Sequence, residues 1–165
     1  MRKIIIKAVI ALLVLLCMYA CTSCEKTDNS GPSNIDTNIQ YALEVMPNSG
    51  DFERMDIDSY SLPASIKEVY KAANGGYVFI VEFNGFRQGN VAAIGVDDNG
   101  VIVGTKIIKS NDTCGKFEEW DTTGYFDGVN LETINDVDSV SGCTMSYSSY
   151  RTVIKSVLEA AKILG

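Results

Sequence analysis

The stretch VDSVSGCTMS, residues 137–146, gathers hydroxyls, a single acid, a glycine and a cysteine just before the last apolar run of the chain. Such a set leads into a helix as a polar loop, or one of its hydroxyls carries a covalent group. A second small-residue set, Asp112-Thr113-Cys114-Gly115, holds the other cysteine of the expected folded part. The chain has no histidine. That rules out Ser–His and Cys–His nucleophile pairs, imidazole acid–base chemistry and most common zinc sites. No catalytic residue and no metal ligand set is assigned, so a redox or group-transfer role needs a cofactor.

The 165 residues are enough for one domain plus a short leader, and 46% hydrophobic residues are enough for a core. The formal charge is −7. Arg2, Lys3 and Lys7 fall in the first 24 residues, where there is no acid, so the acidic balance belongs wholly to the rest. A domain of that sign is repelled by phosphate backbones, and no nucleic-acid partner is expected.

Residues 1–24, MRKIIIKAVIALLVLLCMYACTSC, combine a basic start, an apolar stretch and small residues around cysteine. This is the layout of an export signal. The cysteines favour a lipoprotein, with lipid on Cys21 or Cys24. An uncleaved helical anchor from Ile4 to Cys21 is the alternative. Either way the expected location is the extracytoplasmic face of the cell membrane. The polar segment 25–38, EKTDNSGPSNIDTN, reads as a tether, and 39–165 as the folded domain.

Positioning elements follow from local pattern. Pro63 and Ser65 ahead of Ile66, Val69, Tyr70 and Ala73, with Gly75–Gly76 behind, predict a short helix. A β-branched and aromatic run predicts a strand over Tyr77–Phe83. Asn99–Gly100 between two apolar runs predicts a β-hairpin, which also accounts for DDNG (97–100) without a cation loop. Tyr150, Val153, Ile154, Val157, Leu158, Ala161 and Leu164 recur at helical spacing, which predicts a closing helix capped by Ser148 or Ser149. EEWD (118–121) reads as a solvated acidic face. Trp120 reads as core, with stacking on a cofactor ring as the alternative. The fold class is α+β: a twisted, mostly antiparallel sheet with flanking helices and the C-terminal helix packed on the sheet.

From about Ile66 onward the chain resembles the FMN-binding domain family, whose members include flavin-bearing parts of the Rnf electron-transport complex and of the sodium-pumping NADH:quinone reductase. The blocks occur in order. VYKAANGGYVFIVEFNGF is similar to the family's opening helix and first strand, and AAIGVDDNGVIVGTKIIKSNDTCG to the hairpin and its E-T-P-G segment. YFDGVN (125–130) is similar to an aromatic-x-Gly block, and DSVSGCT (138–144) to the flavinylation motif D-x-x-[ST]-G-A-[TS]. The upstream LEVMPNSGDFERMD (43–56) resembles the family's leader.

The resemblance implies an FMN cofactor joined by a phosphoester to Thr144 through the action of an extracytoplasmic flavin transferase. Ser141, Gly142 and Cys143 would flank the attachment point, and Asp138 would serve recognition by the transferase. Asp112, Thr113, Cys114 and Gly115 are the corresponding candidates for contact with the flavin. The implied role is electron transfer with membrane electron-transport subunits or an extracellular acceptor, rather than turnover by a self-contained enzyme. Noncovalent FMN binding, or a cofactor-free lipoprotein interaction module, are the alternatives. Two departures stand out: Cys143 replaces the motif alanine and Cys114 the proline. If both segments border one site, a Cys114–Cys143 disulfide is geometrically plausible. A structural bridge, two free thiols and a redox pair exchanging electrons with flavin remain open.

Overall fold

A computed structural model describes residues 36–165. The expected export signal, the lipidation candidates Cys21 and Cys24, and most of the tether lie outside the described residues. In chain order the elements are α1 (Thr37–Val45), β1 (Phe52–Arg54), β2 (Ile66–Ala72), β3 (Tyr77–Phe83), β4 (Asn90–Val96), β5 (Ile102–Lys109), α2 (Phe117–Thr123) and α3 (Thr144–Leu164). The five strands form one sheet in the order β1-β2-β3-β4-β5, every neighbouring pair antiparallel. The fold is α+β, with α3 on the sheet. Among the described residues no helix is long and apolar enough to cross a membrane.

Alternation along β3 divides the interior. Tyr77, Phe79, Val81 and Phe83 face the larger core with α2 and α3, while Val78 and Ile80 face a smaller one beneath α1. A strand buried on both faces reads as a continuous apolar run, and YVFIVEF is such a run. On the α1 side, Gly95 and Gly104 pair across β4 and β5. A Cβ on Gly104 would sit 2.5 Å from the Val45 carbonyl oxygen, and one on Gly95 2.6 Å from Met46 Cγ. These glycines let the end of α1 lie directly on the sheet. Its start is fixed by Asp36, which accepts the Asn38 N–H at 3.1 Å and a hydrogen bond from the Tyr70 hydroxyl.

The expected helix after Pro63 is instead β2. Val69 and Tyr70 pair with Phe79 and Val78, and Tyr70–Ala72 also pair with β1. Pairing on both edges outweighs a helical spacing carried by only four residues. Three further boundaries differ. The last two residues of the polar stretch, Thr37 and Asn38, belong to α1. A short helix, α2, occupies EEWD, so that Glu118 and Glu119 are exposed but Trp120 is buried and Asp121 turns inward. Helix α3 starts at Thr144, ahead of the expected caps Ser148 and Ser149. Ser148 lies inside the helix, where its carbonyl accepts the Thr152 hydroxyl at 2.8 Å.

Candidate flavin site

Three chain segments meet at the start of α3. The first is the loop 84–89 between β3 and β4, with Phe86 at its tip. The second is Asp112-Thr113-Cys114-Gly115, which follows β5. The third is Ser141–Ser146. A cleft of about 410 Å³ lies between them, lined by Phe86, Thr113, Cys114, Gly142, Cys143, Thr144, Met145 and Ser146.

The third segment is shaped by its backbone. Gly142 has φ +83°, a left-handed conformation that costs other residues about 1 kcal/mol. Among the described residues nothing beyond its own chain neighbours lies within 4 Å of where its Cβ would be, so the conformation, not crowding, requires glycine. The turn brings the Cys143 N–H to the Val140 carbonyl at 3.3 Å and lets α3 begin at the next residue. Cys143 makes no side-chain cap, and the first backbone bond into the helix is from the Tyr147 N–H to the Cys143 carbonyl at 2.8 Å. The N–H groups of Thr144, Met145 and Ser146 therefore have no partner within the helix. Residues 144–147 include no acid to neutralise that positive end. An unneutralised helix start attracts phosphate. Thr144 is exposed at the first helical position, so its hydroxyl opens onto the cleft.

Asp112 holds the opposite loop. Its carboxylate accepts the Arg87 N–H at 2.6 Å and the Phe86 N–H at 3.2 Å. Partial burial pushes this carboxyl up, but hydrogen bonds from the Ser146 hydroxyl, these two N–H groups and Asn90 outweigh burial and hold it below the ordinary range. Asp112 thereby ties the Phe86 loop to the first turn of α3 and stays ionised. It supports the cleft from behind rather than lining it. The two cysteines are joined by a Cys114–Cys143 disulfide, with Cα atoms 5.3 Å apart. The bond forms part of the wall beside Thr144.

Of the residues expected to form the site, Thr113, Cys114, Gly142, Cys143 and Thr144 share this cleft. Gly115 and Ser141 flank it. Asp138 is exposed, and its backbone carbonyl accepts the Tyr125 hydroxyl at 2.7 Å. Three lining residues were not among those expected: Ser146, which is buried, and two exposed apolar residues. Phe86 and Met145 are 62% and 64% exposed, and both present large apolar side chains at the lip of the cleft. Phe86 sits between Gly85 and Gly89 in a polar loop, and an aromatic at such a tip was the available signal. Trp120 takes no part in the lining. It is 1% exposed and packs with Phe117, Phe126, Tyr147 and Tyr150 behind the helix start.

One polar cluster lies in that interior. Burial pushes the Asp121 carboxyl up to about 6, against the Ile107 N–H at 2.6 Å, the Lys106 charge and the Thr105 hydroxyl. Burial and the Asp121 charge raise the Tyr150 hydroxyl as well. Thr105 Oγ1, Asp121 Oδ1 and Tyr150 OH find no partner of good geometry among the described residues.

An exposed hydroxyl on an uncapped helix start, facing an apolar lip, suits a ligand with a phosphate at one end and a flat ring at the other. These residues fit FMN. The wider class is an α+β cofactor-binding domain. A family model described as FMN-binding domain matches residues 85–159, a span that contains the whole cleft. The match supports an FMN-binding domain over residues 85–159, with FMN as its cofactor. That sets aside the cofactor-free interaction module. No curated protein matches the chain.

Proposed function

We infer that this protein is an extracytoplasmic, membrane-tethered electron carrier whose FMN is joined by a phosphoester to Thr144. One observation carries the attachment point: Thr144 is an exposed hydroxyl at the first position of α3, among N–H groups without a helical partner. In the loading step the Thr144 oxygen takes the flavin-side phosphorus of FAD. The P–O–P bond breaks, AMP leaves, and the threonine proton passes to solvent through the transferase. The first-turn N–H groups would then hold the phosphodiester's remaining charge. Phe86 and Met145 would cover apolar ring surface, and Asp138, pointing to solvent, is free to meet the transferase.

Once held, FMN supplies one- and two-electron chemistry. This chain's residues fix its position and surroundings, and membrane electron-transport subunits or an extracellular acceptor complete the path. The tether rests on the basic–apolar–cysteine pattern of residues 1–24 and on lipid at Cys21 or Cys24. Noncovalent FMN in the same cleft is the second reading, favoured by Cys143 standing where the motif has alanine. Co-expression with a flavin transferase, followed by intact-mass measurement, separates the two. The expected product is heavier by one FMN less one water, with the increment on the peptide containing Thr144. An unmodified chain that still binds FMN reversibly would make the second reading correct.

A further inference from the structure

We propose that the Cys114–Cys143 disulfide is a second redox centre, exchanging two electrons with the FMN bound beside it. This rests on the reading that FMN occupies the cleft at Thr144. Four observations converge. First, Cys143 directly precedes Thr144, and both cysteines line the cleft, so the bond is part of the cofactor's wall. Second, access is one-sided: Cys143 is 4% exposed whereas Cys114 is partly open. Third, Cys143 occupies the N-cap of α3 without making a side-chain cap. Its sulfur accepts no helix N–H, so opening the bond breaks no cap.

Fourth, other bonds already hold the two segments. Asp112 ties its segment to the Phe86 loop, and Tyr147 OH donates to the Val137 carbonyl at 2.7 Å. Tyr125 OH donates to the Asp138 carbonyl at 2.7 Å. Opening the bond therefore leaves the cleft's walls in position, which a bridge that cycles needs.

The balance is simple. The S–S bond breaks as it accepts two electrons and two protons from reduced FMN. Each sulfur becomes a thiol, and FMN returns to its oxidised form. The reverse reaction passes the same two electrons from the dithiol to oxidised FMN. Each loaded chain then stores four electrons, two on the flavin and two on the cysteines.

The test is an anaerobic dithionite titration of the full chain loaded with FMN. Samples are quenched in acid, alkylated, and read by mass on the peptides that contain Cys114 and Cys143. Flavin bleaching is followed in parallel. The expected result is four electrons per flavin at completion, with both peptides alkylated, while the flavin-free chain keeps its disulfide under the same dosing. The Cys114→Ala/Cys143→Ala double variant should complete at two. Full bleaching at two electrons with unalkylated cysteines in the parent chain would overturn the proposal. So would equal alkylation in the flavin-free chain. If intact mass finds no covalent adduct, the phosphoester reading fails by itself. The same titration on chain reconstituted with free FMN then decides the disulfide. A chain that retains FMN in neither way overturns both.

Discussion

At the start of α3, Thr144, Met145 and Ser146 help line a cleft of about 410 Å³, while near its end Leu158, Ala161 and Lys162 line one of about 450 Å³. Their lining residues on α3 are centred roughly 23 Å apart along the helix. Volume does not separate them, but charge does. The start presents N–H groups and no acid in its first turn. The end presents carbonyls beside Asp97, Asp98 and Glu132, with Lys162 as the one cation in the lining. An anionic cofactor is drawn to the first and repelled by the second. The cysteine pair falls with the electrostatics rather than with the larger volume.

Exchanging or removing groups at either end tests that contrast, beginning with the largest effect. Thr144→Val should abolish the FMN increment in intact mass altogether, whereas Lys162→Gln at the far end should leave loading unchanged. A flavin still covalently attached to Thr144→Val would move the attachment point elsewhere. Next, the Cys114→Ala/Cys143→Ala double variant removes a cross-link closing a 29-residue separation. It should lower stability by about 3 kcal/mol in denaturant titration. Loading by the transferase should persist, because Thr144 keeps its hydroxyl and alanine at 143 is the residue the flavinylation motif carries.

Asp112→Ala should cost about 1 kcal/mol, because the exposed Phe86 and Arg87 N–H groups exchange a charged partner for water. In the loaded protein it should also raise the quenching of flavin fluorescence by iodide, as the Phe86 loop loosens. Unchanged quenching would place the ring away from Phe86. The Asp112 carboxyl sits below its unfolded value, so its stabilisation is present above the unfolded value and is lost as pH falls through the folded one.

The smallest effect has the opposite sign. The Asp121 carboxyl is raised to about 6 in the fold, so between about pH 4 and 6 the native state holds a proton that the unfolded chain releases. Stability from this group is highest below that window and declines as pH rises through it. Asp121→Asn should therefore flatten the pH dependence of the melting temperature from pH 4 to 6 and raise the melting temperature modestly at pH 8. An unchanged profile would mean that Asp121 is not the group responsible.

Legibility differed between local and long-range features. The β3 strand and the β4–β5 hairpin were readable because their signals are contiguous: a dense apolar run, and an Asn-Gly turn between two others. Helix α3 was readable in its body but not at its start. Sequence rules look for a capping side chain, and here a left-handed Gly142 and a cysteine held from across the cleft take its place. The segment after Pro63 failed because its partners, Phe52–Arg54 on one side and Tyr77–Val81 on the other, are invisible in a short window. Asp121 looked solvated among its acidic neighbours, yet the turn of α2 aims it at the Ile107 N–H.

The sequence by itself determined the chemistry available. With no histidine it left hydroxyls, carboxylates and, in the folded part, two cysteines, and its ordered blocks pointed to FMN and to Thr144. Only the tertiary structure decided that Thr144 opens the first turn of α3 rather than preceding it, that Asp112 works behind the cleft, and that Phe86 and Met145 form its lip. It also joined Cys114 to Cys143, 29 residues apart. The reason is physical. A residue's type and near neighbours are written along the chain, but a helix start becomes an anion site, and two thiols a bond, only when packing brings distant segments within reach.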